Sequence, residues 1–359
     1  MDAPARPIAV ITHPVAREHD PGPGHPERSQ RLDAVLAGVS MIDARLVSTV
    51  EAPEATRETI RLVHEERYLE RLEQISASGG GAVDADTRLG PRSLEAATRG
   101  VGGAVEAVRG VLDGTWSGAF VAMRPPGHHA PSGGPDSRPD WTSARPSMGF
   151  CLLNQVAAGA RWAVTHGGAS RVAVLDWDAH HGNGTQEIFW SDPDVLYASI
   201  HQYPFYPGTG DASERGGGPG AGTTVNVPLP AGAAEDAYAR AMDEIVVPAI
   251  ASFGAELVVV SAGYDAHARD PVCAMRLTAG AFFRLARRVL DLAPVVAVLE
   301  GGYDLDGLRW GVAATLEAMA GGSEPVPVPE QERGALPGSE QALRWVDDAK
   351  AAVRGWRPR

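Results

Sequence analysis

The run Asp176-Trp177-Asp178-Ala179-His180-His181-Gly182-Asn183-Gly184 sets carboxylates beside imidazoles. It follows Val172-Ala173-Val174-Leu175, an apolar stretch that predicts a buried strand, so the polar cluster stands where a strand gives way to a loop. On extended backbone, residues two apart point the same way, and Asp178 and His180 therefore aim at one point. A carboxylate oxygen with an imidazole nitrogen is a common partial ligand set for zinc. A solvated polar loop is the alternative, and three further segments weigh against it.

The first is Arg124-Pro125-Pro126-Gly127-His128-His129-Ala130, after the apolar run Ala119–Met123. Adjacent rings cannot point the same way on a straight strand, but the turn at Pro126-Gly127 lets both reach one cleft. Histidine is the side chain best able to exchange protons near neutral pH. The second, Ser261-Ala262-Gly263-Tyr264-Asp265, ends the run Leu257–Val260 with another carboxylate. The third, Leu299-Glu300-Gly301-Gly302-Tyr303, follows Val295–Val298 and offers a phenol behind two glycines that permit close backbone approach. Proteins of alternating strands and helices gather their sites at the carboxyl ends of parallel strands, so the convergence of these segments matters more than any one of them.

Together with Gly149-Phe150-Cys151, His25-Pro26-Glu27-Arg28 and the stretch from Val63-His64 to Tyr68-Leu69, these segments resemble the zinc-dependent histone deacetylases and their bacterial relatives. Those relatives are the histone deacetylase-like amidohydrolases and the acetylpolyamine amidohydrolases. Asp-Trp-Asp, Asn183 and Leu-Glu-Gly-Gly-Tyr resemble the class II branch. The resemblance implies a single α/β domain of the arginase/deacetylase fold, with three αβα layers and a mostly parallel central sheet of about eight strands.

It also implies roles for individual residues. Asp178, His180 and Asp265 match zinc ligands, leaving room for water and a substrate carbonyl. His129 matches the general base and His128 its orienting partner, with Asn183 and Asp176 as their respective hydrogen-bond partners. An amide carries no charge, so Asn183 should raise the pKa of its histidine less than a carboxylate would. Tyr303 matches the hydroxyl that donates to the reacting carbonyl. Phe150 and Tyr206 match the aromatic walls of an acetyl-lysine tunnel, with the Tyr206 hydroxyl expected toward the rim. Gly149, Gly301 and Gly302 would line the pocket with backbone, and Asp86 would hold substrate at the mouth. Potassium is expected at Asp176, Asp178, His180, Ser199 and Ile200, and a second ion at Phe189, Val195 and Thr223. The implied reaction is zinc-assisted hydrolysis of an acetyl amide.

Three features depart from the resemblance. Pro131 to Ser147, with Trp141 inside it, is a long loop rich in Pro, Ser and Gly that leaves the tandem histidines directly. It should overhang the cleft or reach a neighbouring subunit, unless it is only surface. His267 repeats the Asp-x-His spacing after Asp265, which fits a rim residue best, with a spare ligand or a two-metal remnant left open. Val272 stands where an acidic residue would greet a polyamine.

Alternating helical and strand patterns run through most of the 359 residues. Helices are expected at Ser29–Val39, Ser93–Leu112, Asn154–Thr165, Ala234–Phe253 and Ala279–Leu292, which covers a parallel sheet on both faces. Residues 1–320 read as the catalytic domain. A Pro-rich connector and the helix Ser339–Arg354, within 321–359, should pack back on it. The net charge of −13 disfavours a nucleic-acid partner and suits cationic amines. Cys151 and Cys273 are too few for a disulfide framework and read as reduced thiols packed locally. No run suits a bilayer or a signal peptide, which makes cytoplasmic residence and no membrane partner the expectation. Homo-oligomerisation stays open. The leading function is a deacetylase of acetyl-lysine-like substrates. A polyamine or small-metabolite deacetylase comes second, and a non-catalytic acetyl-lysine-binding protein third. A manganese ureohydrolase would need more bridging carboxylates than these motifs offer.

Overall fold

The computed structural model describes residues 6–133, 148–325 and 327–353. Its centre is an eight-stranded sheet. In chain order the strands are β1 (Ile8–Thr12), β2 (Val47–Glu51), β3 (Gly118–Val121), β4 (Val172–Asp176), β5 (Val195–Gln202), β6 (Thr224–Leu229), β7 (Leu257–Ala262) and β8 (Val295–Leu299). They lie in the order β2-β1-β3-β8-β7-β4-β5-β6, and every pairing is parallel. The valine-rich strands β4, β7 and β8 are buried along their whole length, as strands covered on both faces must be. Only the edge strand β2 is largely half-exposed.

Helices cover both faces. Gln30–Val39, Ser93–Leu112, Gln155–Thr165 and Ala279–Leu290 lie where the apolar periodicity puts them. The run expected as one helix over Ala234–Phe253 is instead two α-helical pieces, Glu235–Ala241 and Val247–Phe253, joined by a π-turn at Met242–Val246. Pro248 explains the wider turn: it has no N–H to donate and its ring crowds the preceding turn. A further helix, Glu66–Ala77, buries Tyr68, Leu69 and Leu72 and was not among those anticipated. The helix Glu340–Val353 lies against β6 and the helix Glu235–Ala241, burying Ala342, Val346 and Ala349. Arg240–Asp347 and Lys350–Glu244 ion pairs flank that contact.

The sheet order has one consequence for chemistry. Strands β3, β8, β7 and β4 are consecutive neighbours in the middle of the sheet, and they are the four that end in the candidate motifs. Chain connectivity enters and leaves this centre several times, which opens a crevice at the carboxyl ends of the strands.

A buried ionic cluster ties the N-terminal segment to two of those ends. Glu27 is fully buried and receives Arg124 through both oxygens, Nε–Oε1 at 2.5 Å and Nη2–Oε2 at 2.5 Å. Arg31 Nη1 lies 2.8 Å and His19 Nε2 3.1 Å from the same carboxylate. Arg124 opens the tandem-histidine segment. Arg31 donates to the main-chain oxygens of Glu300 and of Gly302, the latter at 2.7 Å, just before Tyr303. Burial alone would push the Glu27 carboxyl up; Arg124, His19 and Arg31 outweigh it and hold it well below the usual carboxylate range. Its contribution to stability is therefore complete above the ordinary carboxylate range and is lost as pH falls below it. Glu27→Ala strands buried guanidinium charge and is expected to cost on the order of 3–5 kcal/mol at neutral pH. Urea unfolding measures this, and the gap to the parent should narrow toward acid; a loss under about 1 kcal/mol at pH 7 would show that the cluster does not hold the fold.

Candidate active site

The loop after β4 and the loop after β7 bring two aspartates to one imidazole. His180 Nδ1 lies 3.1 Å from Asp178 Oδ1 and 2.9 Å from Asp265 Oδ2, and all three residues are buried. Backbone amides hold the carboxylates in place. His180 N donates to Asp178 Oδ1 at 2.9 Å, Ala179 N to Asp265 Oδ1 at 2.8 Å and Gly301 N to Asp178 Oδ2 at 2.8 Å. Gly301 has to be glycine, because a Cβ there would stand 2.4 Å from Asp265 Oδ2 and 2.6 Å from Asp178 Oδ2.

The electrostatics of this trio favour positive charge between the two carboxylates, and, against burial, they help raise the pKa of the His180 ring. Burial opposes charge on Asp178, but His128 and His180 outweigh burial and keep it ionised. Asp265 is pushed up to about 7 by burial and by the neighbouring Asp178 charge. Two buried carboxylates, each held by backbone amides, and one imidazole nitrogen form a donor set that fits a divalent ion such as zinc.

The tandem histidines stand beside this trio and have unlike partners. His128 Nδ1 lies 3.0 Å from Asp176 Oδ2, which also accepts from Tyr197 Oη at 3.2 Å. His129 Nδ1 lies 2.6 Å from Asn183 Oδ1. Burial disfavours charge on both rings. For His128, Asp178 and Asp176 outweigh burial and raise the pKa to about 10. For His129, burial is reinforced by His128 and His180, and the pKa falls well below the usual imidazole value. One ring is thus held charged and its neighbour neutral, with centroids 4.0 Å apart.

Tyr303 reaches the same crevice from the end of β8. Burial keeps its phenol protonated, with the Arg31 guanidinium 5.1 Å from the ring centroid pulling the other way. Phe150 meets the Tyr303 ring edge-on at 5.8 Å, and Tyr206 meets His129 edge-on at 5.6 Å. Phe150 is the one non-glycine residue with positive φ, at 67°, among the described residues. An aromatic residue held there stores strain of about 1 kcal/mol or more, which its surroundings must impose. Those surroundings include Asp86 and Thr87: Gly149 N donates to Asp86 Oδ1 at 3.0 Å and Phe150 N to Thr87 Oγ1 at 3.0 Å. Gly149 itself has φ +60°, and a Cβ on it would strike the His129 ring at 2.2 Å.

Several expectations change at this level. The Tyr206 hydroxyl does not reach the rim; it is buried, and burial together with Asp86 raises its pKa strongly. Asp86 is half-buried, and its Oδ1 also braces the Gly149–Phe150 turn by accepting from Gly149 N. His267 is not a rim residue, for it is buried and its Nε2 lies 3.0 Å from Glu332 Oε2. Cys273 is more than packing, since its Sγ sits 3.6 Å from His180 Nε2. Phe205, not singled out from sequence, stacks on His180 at 5.2 Å. An aromatic residue next to Tyr206 in Tyr-Pro-Phe-Tyr-Pro was the available signal.

Ser199 pairs in register with Asp176 across β4 and β5, and Ile200 follows it. That places the backbone proposed for the nearer potassium ion under the aspartate loop. Val195 is the first residue of β5, Phe189 ends the helix Asn183–Phe189 before it, and Thr223 Oγ1 already donates to the main-chain oxygens of Asp192 and Gly220. The Pro131–Ser147 loop, with Trp141, lies outside the described residues from position 134 onward. Its root is anchored by Ser132, whose N and Oγ donate to Glu187 at 2.8 and 2.6 Å. A cleft of about 700 Å³ opens beside Tyr303 between His25, Arg28 and Pro271.

Comparison with known proteins agrees with this geometry. The histone deacetylase domain matches residues 25–319. A probable deacetylase of Archaeoglobus fulgidus is 38% identical over 324 residues, covering 87% of this chain and 86% of that protein. A histone deacetylase-like amidohydrolase of Pseudomonas aeruginosa is 40% identical over 303 residues, covering 82% and 76%. The crystal structure of the HDA15 HD domain superimposes with a TM-score of 0.85 at 29% identity, covering 98% of this chain and 95% of that one. With the tandem histidines, the aspartate–histidine trio and the strand-end tyrosine gathered at the centre of this sheet, the chain belongs to the histone deacetylase family and is a hydrolase of the deacetylase–amidohydrolase type.

Proposed function

We propose that the protein is a zinc-dependent deacetylase that hydrolyses the acetyl amide of N-acetyl-lysine-like substrates to the free amine and acetate. The observation that carries this reading is the pair of adjacent imidazoles, one on the Asp176 carboxylate and the other on the Asn183 amide, beside a buried two-carboxylate, one-imidazole trio. A zinc ion held by Asp178, His180 and Asp265 would supply Lewis acidity, polarising the acetyl carbonyl and making water nucleophilic at neutral pH.

The chain's own groups do the rest. The contact with the Asn183 amide oxygen puts the His129 proton on Nδ1, leaving the Nε2 lone pair as the base. His129 takes a proton from the attacking water and returns it to the departing amine nitrogen. His128 stays charged through its Asp176 contact and stabilises negative charge as it develops. The protonated Tyr303 hydroxyl donates to the carbonyl oxygen and then to the tetrahedral oxyanion. Phe150 and Tyr206 enclose a slim aliphatic stem and keep water from the reacting centre. We further read residues 1–320 with the tail 321–359 as one folding unit. Potassium is assigned to the carbonyls near Asp176, Asp178, His180, Ser199 and Ile200, and a second ion to those of Phe189, Val195 and Thr223.

Acetylpolyamines are the second substrate class, favoured by the Asp84 and Asp86 carboxylates close to Tyr206. Val272, in place of an acid, argues for the lysine class. A purely binding role fits poorly with a complete set of acid–base groups.

The deciding assay compares acetyl-lysine peptides with acetylputrescine and acetylspermidine, using zinc-loaded and chelator-stripped protein. Activity should vanish on stripping and return with zinc; no turnover of any of these by the loaded protein would end the reading. Tyr303→Phe should lower kcat on the order of 10²–10³-fold with the fold intact, and near-parent turnover would remove Tyr303 from its role. Asn183→Asp places a carboxylate on His129, favours its charged form and so must move the acid limb of the kcat/KM profile to higher pH, by about one unit or more. An unmoved limb would mean that His129 is not the base.

A further inference from the structure

Glu300 is wholly buried at the end of β8 and belongs to none of the roles above. Its Oε2 accepts the backbone N–H of Gly127 at 2.7 Å and of His128 at 3.1 Å. The next amide, His129 N, donates to Cys151 Sγ at 3.5 Å. Three successive amides of the tandem-histidine turn therefore end on side chains, not on backbone.

The reason lies in the local sequence. Pro125 and Pro126 have no N–H, and the turn that follows them leaves β3 without a neighbouring strand to accept its donors. Left unpaired in the interior, each amide would cost about 1–3 kcal/mol. Successive amides facing one way form a concave anion seat, and Glu300 fills it from within the chain. The same residue is fixed from its other side, since Arg31 holds the main-chain oxygens of Glu300 and Gly302, and Gly301 N binds Asp178. One side chain thus locks the histidine turn to the segment that carries Tyr303.

We propose that Glu300 is the positioning residue for His128 and His129, acting as a hydrogen-bond acceptor for the turn that aims both rings. This rests on the deacetylase reading for its activity readout. Burial pushes the Glu300 carboxyl up to about 7, with His128 and the Gly127 amide pulling it back, so it is part-protonated near neutrality. Acceptance through Oε2 survives in either form, and an amide can reproduce it.

The test compares Glu300→Gln, which keeps an acceptor, with Glu300→Leu, which does not. E300L should lose about 30- to 100-fold in kcat, the scale expected when reacting groups are displaced by about an ångström, with KM within about twofold and bound metal unchanged. E300Q should keep kcat within about threefold of the parent. In isotope-labelled protein, the amide protons of Gly127 and His128 should move upfield in E300L and stay near their parent positions in E300Q. That readout needs no substrate, so it stands even if the parent protein hydrolyses no acetyl amide. If E300L does not fold, Glu300→Met, similar in volume and without a strong acceptor, takes its place. The proposal is overturned if the apolar variant keeps kcat within threefold or leaves both amide resonances in place. It is equally overturned if E300Q falls as far as the apolar variant.

Discussion

Two carboxylates buried against each other set the terms for everything around them. Asp178 and Asp265 sit at the ends of neighbouring strands with one imidazole between them, in an interior that penalises uncompensated charge. The chain meets that penalty with amides: His180 N, Ala179 N and Gly301 N each bind a carboxylate oxygen. Those bonds need the loops after β4, β7 and β8 to come within contact distance, and at residue 301 only a glycine leaves space. Positive charge between the carboxylates completes the balance, and the proposed zinc ion would supply it.

The same field sorts the tandem histidines. Asp176 beneath His128 keeps that ring charged; Asn183 beneath His129 adds no charge, and the neighbouring cations help to keep the second ring neutral. Neither ring is special by itself. Their difference comes from one carboxylate and one amide delivered by the same loop after β4. Arg31 and Glu27 extend the arrangement outward, so that the strand end bearing Tyr303 and the segment opened by Arg124 share one buried ionic cluster.

The walls are built differently. Phe150 is held at φ 67° by hydrogen bonds from its own amide to Thr87 and from the Gly149 amide to Asp86, so an acidic residue expected at the substrate mouth also braces the scaffold. Tyr206 likewise turns its hydroxyl inward. The loop between positions 203 and 210 packs Phe205 on His180 and Tyr206 against His129, which makes the proposed tunnel wall and the candidate metal ligand part of one packed unit.

What the sequence determined alone is the set of strand-end motifs and the strands that carry them. Short runs rich in β-branched valine read as buried strands, and a polar cluster directly after each one has few places to go but a shared crevice. Five helices read from apolar periodicity for the same reason, though Pro248 breaks one of them at a π-turn and the helices Glu66–Ala77 and Leu305–Met319 are not among them. Tertiary structure alone decided which strands became neighbours, and hence that residues 128, 178, 265 and 303 meet. It alone turned His267 to Glu332, brought Cys273 beside His180, and set Glu300 under the tandem-histidine amides. Such contacts join residues far apart in the chain through the satisfaction of buried polar atoms. Local patterns record which face of an element is buried, but not which distant group will stand opposite.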